Sequence, residues 1–211
     1  MSSLKVILEE IRKELKEKEK IRENIQNDMR KATSLSKQAI LLIHQKRLKD
    51  AEKLIKKAKE IILELNNASA AHPEIIYSGL YDAALQEYSE ANIFLKLIEE
   101  ERFVTPKEIS VPSVDYVLGL ADVIGEYRRL ALDALREGDV RKSEKYLKIM
   151  DEIYIELMGM NEAYMLVPGL RRKCDTARKI IETTRGDVTQ EIRRSTLEKY
   201  LKGLEHHLRK N

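Results

Sequence analysis

At 211 residues the chain can bury a substantial core as one domain. Lys+Arg number 39 against Asp+Glu 36, and the resulting net charge of +3 excludes a uniformly basic protein, so any phosphate-binding surface is a local patch. Eight Gly, four Pro and no Trp are the composition of long helices, and a single cysteine, Cys174, excludes an intrachain disulfide. That cysteine usage suits a reducing cytoplasm. The charged N-terminus does not read as a signal peptide, and no apolar run approaches a membrane span.

Residues Ser3 to about Arg47 contain neither Gly nor Pro and read as one very long helix. Its apolar line is Ile21, Ile25, Met29, Ala32, Leu35, Ala39 and Leu42. Opposite runs a polar line of Arg22, Gln26, Arg30, Thr33, Lys37 and His44. So long a helix exceeds what one compact domain covers, and is expected to pack along another subunit or line a cavity. Leu48 to about Leu65 is a second amphipathic helix, with Ala51, Leu54, Ile55, Ala58, Ile61, Ile62 and Leu65 on one face. Asn66–Pro73 is expected to be a loop, with Pro73 in the first turn of a third helix over about Glu74–Glu101. Thr105-Pro-Lys-Glu108 has capping-box spacing and predicts one short turn. A fourth helix spans about Val114–Arg136 and stops at Gly138. Asp139 opens a fifth, to about Met158, and the loop Gly159–Gly169 leaves room for a further turn. A sixth helix is expected over about Leu170–Thr184, and Asp187 followed by Gln190 caps a seventh that ends near His207. No run has the strand period. The expectation is an all-α fold of about seven helices in a single domain over residues 1–211.

The third helix presents Leu80, Ala84, Glu87, Ala91, Phe94 and Ile98 in alternating steps of four and three, which is one helical face. Glu87 interrupts that stripe and Glu90 lies a turn further on. A carboxylate among apolar side chains is costly unless something pairs with it. The fourth helix is apolar nearly all round from Val114 to Ile124, but Asp122 and Glu126, four apart, break it, bordered by Gly119 and Gly125. Mid-helix glycine costs roughly 1 kcal/mol against alanine, so two of them point to something close against the backbone. If the helices face each other, four carboxylates converge and cannot all ionise in a low-dielectric site without a cation. An all-carboxylate set suits Mg²⁺ or Mn²⁺ rather than zinc, and such a site can hydrolyse a phosphodiester or pyrophosphate. On periodicity alone a buried salt network, with Glu87 and Glu126 on Arg128, Arg129 or Arg171, explains the same residues equally well. A di-iron bundle is disfavoured, since none of His44, His72, His206 or His207 follows a Glu by three.

The segments Gln86-Glu-Tyr-Ser-Glu-Ala91, Asp115-Tyr-Val-Leu-Gly-Leu-Ala-Asp-Val-Ile-Gly-Glu126 and Pro168-Gly-Leu-Arg-Arg-Lys173 resemble the translin family in order and spacing. Within it they resemble the translin-associated factor X branch, in an archaeal-type form, over roughly Arg22 to Asp187. The resemblance implies a seven-helix subunit of a hollow homo-oligomer, an octamer. It also implies binding of single-stranded RNA and DNA and Mg²⁺-dependent endoribonuclease activity, with Glu87, Glu90, Asp122 and Glu126 as catalytic carboxylates and metal ligands. The translin branch itself lacks the Glu-x-x-Glu pair, so this chain looks like the catalytic type.

On charge pattern alone Arg22, Arg30 and Lys37 belong to a solvated helix face. The resemblance implies instead that basic residues here line the nucleic-acid cavity. Arg171, Arg172 and Lys173 form a second basic run, at a helix start where the dipole disfavours it. Tyr81, Tyr88 and Tyr116 can stack bases but sit close to core stripes. Cys174 reads as buried filler and His206-His207 as a helix end. Two alternatives stand beside the nuclease: a nucleic-acid-binding scaffold without chemistry, and an all-α nucleoside triphosphate pyrophosphohydrolase, which also uses Glu-x-x-Glu.

Overall fold

A computed structural model describes residues 3–71, 79–160 and 163–209. They form α1 (Leu4–His44), α2 (Leu48–Ala71), α3 (Gly79–Glu100), α4 (Pro106–Ile109), α5 (Ser113–Arg136), α6 (Val140–Gly159), α7 (Ala163–Leu166) and α8 (Leu170–Leu208). The fold is all-α, with no strand among the described residues. No described helix is long and apolar enough to cross a membrane. The helices divide into two compact units, Met1–Gly119 and Leu120–Asn211, and α5 runs from the first into the second.

In the first unit α1 packs on α2 and α3, and α2 on α3. The face that α1 buries is Ile25, Met29, Ala32, Ser36, Ala39, Ile40 and Ile43. Leu35 and Leu42 of the expected line are only half-buried. Ser36 takes the buried position because its hydroxyl donates to the Ala32 carbonyl at 2.9 Å, which removes the cost of hiding a polar group. The same alternation of four and three continues N-terminally through Leu4, Leu8, Ile11 and Leu15, all exposed. Lys46, in the left-handed conformation, ends α1.

α2 extends beyond its expected end: residues 66–71 are helical, not a loop. Asn66 does not break the helix because its side chain has tertiary partners. Its amide donates to the Ser110 carbonyl at 3.3 Å and its oxygen accepts from the Tyr81 hydroxyl. Pro73 and the expected start of the third helix at Glu74 lie outside the described residues. α3 is buried almost all round from Ala84 to Leu97, although Leu80, at the head of the expected stripe, is exposed. Thr105 and Glu108 form the expected capping box of α4.

In the second unit α6 packs along α8, burying Met150, Ile153 and Leu157. Gly138, at φ 78, turns the chain between α5 and α6, and the Asp139 side chain caps α6 by accepting from the Lys142 amide. The expected division of the last segment at Asp187 does not occur: α8 is one helix of 39 residues. Its buried face, Cys174, Ala177, Ile181, Thr184 and Val188, runs without a break in phase past Gly186 and Asp187. Interior glycine costs only about 1 kcal/mol, less than continuous packing returns.

Candidate functional site

In the first unit, Glu87 is half-buried on α3 and its Oε1 lies 3.2 Å from Nζ of exposed Lys37 on α1. Glu90, one turn on, is 7% exposed, more deeply buried than Glu87. Between them Tyr88 and Ser89 are fully buried. α5 crosses α3 at this point, and Gly119 makes the crossing possible. A Cβ there would stand 2.7 Å from the Gln86 carbonyl oxygen, 2.7 Å from Ser89 Cβ and 3.0 Å from the Glu90 amide nitrogen. The close approach expected at Gly119 is therefore present. At Gly125 a Cβ would meet nothing within 4 Å, and the same expectation fails there.

A further acidic residue in this unit is Asp115, 5% exposed in the first turn of α5. Burial pushes its carboxyl up to about 6, with the nearby Asp82 carboxylate adding to the rise and a hydrogen bond from Gln86 opposing it. The sequence carried a signal for it. Asp115, Gly119, Asp122 and Glu126 follow one another in steps of four, three and four, the same helical face.

In the second unit Asp122 is half-buried and forms an ion pair with Lys173 of α8. The two border a cavity of about 270 Å³, which Gly125, Arg172, Thr176 and Ile180 also line. Glu126 is half-buried. Arg128, one expected partner of the carboxylates, is instead spent on α8: its Nη1 donates to the Ile180 carbonyl at 3.1 Å and to Thr184 Oγ1 at 3.2 Å. Glu87 and Asp122 thus take lysine counterions, Lys37 and Lys173, which sequence reasoning had set on the nucleic-acid side.

Arg22, Arg30, Arg171 and Arg172 are exposed. Other members of the polar line of α1 turn inward. The Thr33 hydroxyl donates to the Met29 carbonyl at 2.9 Å, and the His44 ring lies 5.1 Å from that of Phe94. The tyrosines are used by the fold. Tyr81 bonds Asn66, Tyr116 donates to the Val104 carbonyl at 2.6 Å, and burial pushes Tyr88 up to about 12. Cys174 is buried, which raises its thiol pKa, and His206 and His207 are exposed near the end of α8.

Among the described residues no group of three or more His, Cys, Asp and Glu side chains is gathered for a metal ion. The donor chemistry of Glu87, Glu90, Asp122 and Glu126 nonetheless fits a hard divalent cation: all are carboxylates, and two of them already hold a cationic ammonium group.

An all-α chain with a long first helix and carboxylates on α3 and on α5 defines a class, and residues 20–184 match the Translin family. The chain belongs to that family. It is 34% identical over 190 residues to Uncharacterized protein MJ0175 of Methanocaldococcus jannaschii, covering 89% of this chain and 84% of that one. Among solved structures it is similar to AfC3PO, with a TM-score of 0.76 and 38% identity over 87% of this chain and 96% of that one. A duplex RNA complex of AfC3PO matches with a TM-score of 0.75 and 39% identity, covering 87% of this chain and 95% of that one. Apo-NeC3PO shares the fold, with a TM-score of 0.78 at 22% identity over 87% of this chain and 96% of that one.

Proposed function

We propose that this protein is a single-strand-binding, Mg²⁺-dependent endoribonuclease of the translin-associated factor X type. It works as a hollow homo-oligomer, an octamer, in the cytoplasm. The observation that carries the reading is the pair of half-buried carboxylates, Glu87 and Asp122, each stable beside a cation, in a chain of the translin family. Glu90 and Glu126 complete the ligand set for Mg²⁺ or Mn²⁺, which when bound supplies an activated water and neutralises charge on the phosphate. Arg22 and Arg30 track the RNA backbone, as does Lys37 once it leaves Glu87. Arg172 and Lys173, which line the Asp122 cavity, hold phosphates near that carboxylate, with Arg171 beside them in the chain. The relative solved with duplex RNA supports RNA as the ligand class, and single-stranded DNA offers the same phosphates.

The test is incubation of labelled single-stranded RNA with the protein in Mg²⁺ or EDTA, beside Glu87→Gln. Cleavage only by wild type in Mg²⁺ is expected. The lysine ion pairs also favour a second reading, a non-catalytic nucleic-acid scaffold in which they are permanent. Binding without cleavage in any lane would establish that reading, and turnover of free nucleoside triphosphates but not RNA would establish a pyrophosphohydrolase. Light scattering giving a monomer mass would remove the octamer.

A further inference from the structure

The net charge of +3 demands that any basic surface be local, and the first unit contains such a patch, lined by none of the four candidate carboxylates. A cavity of about 590 Å³ opens between α2, α3 and α4. Lys49, Lys53, Lys56 and Lys59, in steps of four, three and three along α2, edge it, and Lys96 of α3 adds a fifth ammonium group. Against these five lysines the lining holds two glutamates, Glu52 and Glu108, an excess equal to the net charge of the whole chain. Glu108 is already held by Arg102 at 2.9 Å and by the Thr105 cap. Lys96 is spent on Glu99 and Glu100, and Lys53 on Asp50. Lys49, Lys56 and Lys59 have no ion pair among the described residues. Beneath them the floor is apolar: Ile55, Leu95, Ile109 and the ring of Tyr88, all buried. Beside the two glutamates, half-buried Asn92 sits in the wall. Its amide nitrogen donates to the Tyr88 carbonyl at 2.7 Å and its side chain also hydrogen-bonds the Tyr88 hydroxyl, while Oδ1 is an acceptor.

We propose that this cavity is a nucleotide-binding site, separate from the four carboxylates, none of which lines it. Three uncommitted ammonium groups overprovide for one carboxylate and suit a multiply charged phosphate, for which lysine acts as a point charge. The cavity is far larger than inorganic phosphate and falls in the size range of small-molecule sites. An apolar floor with an amide oxygen beside it suits a planar base bearing an exocyclic amine, with its phosphates on the lysine rim. The same chemistry comes from a free nucleotide or from one nucleotide of an RNA strand.

The protein is titrated in EDTA, which silences cleavage, with ATP, AMP, adenosine, inorganic triphosphate and a short single-stranded oligoribonucleotide. The set is repeated with the Lys49→Ala/Lys56→Ala/Lys59→Ala variant. A control removes equal charge from the exposed start of α1, through Lys5→Ala/Lys13→Ala/Lys16→Ala. Wild type should bind ATP at least tenfold more tightly than adenosine or triphosphate, and the groove variant should lose at least tenfold while the control does not. Asn92→Asp, which keeps the size of the side chain, should also weaken ATP. ATP bound without competition by the oligoribonucleotide identifies free nucleotide as the source. Oligoribonucleotide binding that depends on the groove lysines, without ATP binding, identifies the strand. Three results overturn the proposal: no ligand bound, triphosphate bound as tightly as ATP, or equal losses in groove and control variants. Cleavage by the carboxylates is read separately in Mg²⁺, so the two assignments fail independently.

Discussion

Gly119→Ala tests the close approach of α5 to α3 in the first unit. The added methyl would stand 2.7 Å from the Gln86 carbonyl oxygen and from Ser89 Cβ, and 3.0 Å from the Glu90 amide nitrogen. Comfortable separation for carbon is about 3.5–4.0 Å, so α5 and α3 must move apart locally by roughly 1 Å. Two of the three neighbours are backbone atoms and the third belongs to a fully buried serine, so no side chain can swing aside. Overpacking of this kind costs about 1–3 kcal/mol, and backbone neighbours set the expectation at the upper end. The gain in helix propensity returns about 1 kcal/mol, for a net loss of about 2 kcal/mol. Gly125→Ala on the same helix meets nothing within 4 Å and should gain about 0.5–1 kcal/mol. The assay is urea unfolding followed by circular dichroism at one fixed protein concentration, since association shifts apparent stability. The two midpoints should move in opposite directions at unchanged slope. Equal stability of the two variants would mean that α5 does not touch α3 at Gly119, and the close approach there would be refuted.

Glu87→Gln and Asp122→Asn should each unfold in EDTA within about 1 kcal/mol of wild type, because each breaks a half-exposed lysine pair, while losing RNA cleavage in Mg²⁺. Thermal unfolding and a cleavage assay check this; destabilisation well beyond that range would make the two carboxylates structural. Asp115→Asn should stabilise the protein at neutral pH. The wild-type carboxyl titrates near 6 rather than 3.8, so the folded state holds a proton that the unfolded chain releases. The associated stability is fully present below about 3.8 and is lost as pH rises through 6, up to about 3 kcal/mol. Urea midpoints of wild type and variant should diverge between those values and run parallel above them; a constant difference would refute the buried, perturbed carboxyl. Arg22→Ala/Arg30→Ala/Lys37→Ala should weaken single-stranded RNA binding and reduce the slope of log affinity against log salt by about 0.7 for each phosphate that is no longer neutralised. An unchanged slope would leave α1 as plain solvated surface.

Helix type and several helix boundaries were legible in the sequence because they depend on local terms. These are the absence of Gly and Pro from α1, the capping box at Thr105, the stop at Gly138 and the cap at Asp139. The carboxylates were legible because a charge in an apolar stripe stands out. The errors fell where distant partners outweigh local preference. Asn66 continues α2 because Ser110 and Tyr81 satisfy its side chain, and α8 runs through Gly186 because its buried face keeps its phase. Periodicity put Glu87 in the apolar stripe with Glu90 a turn on; the packing of α3 on all sides instead buries Glu90 the more deeply. Nor could spacing along one helix say that Lys37 and Lys173 hold Glu87 and Asp122, or that the lysines of α2 edge a cavity whose floor comes partly from α3 and α4. A sequence specifies which faces are apolar and which are charged; only packing decides which charged face meets another element, because that choice depends on groups distant in the chain and on the water excluded between them.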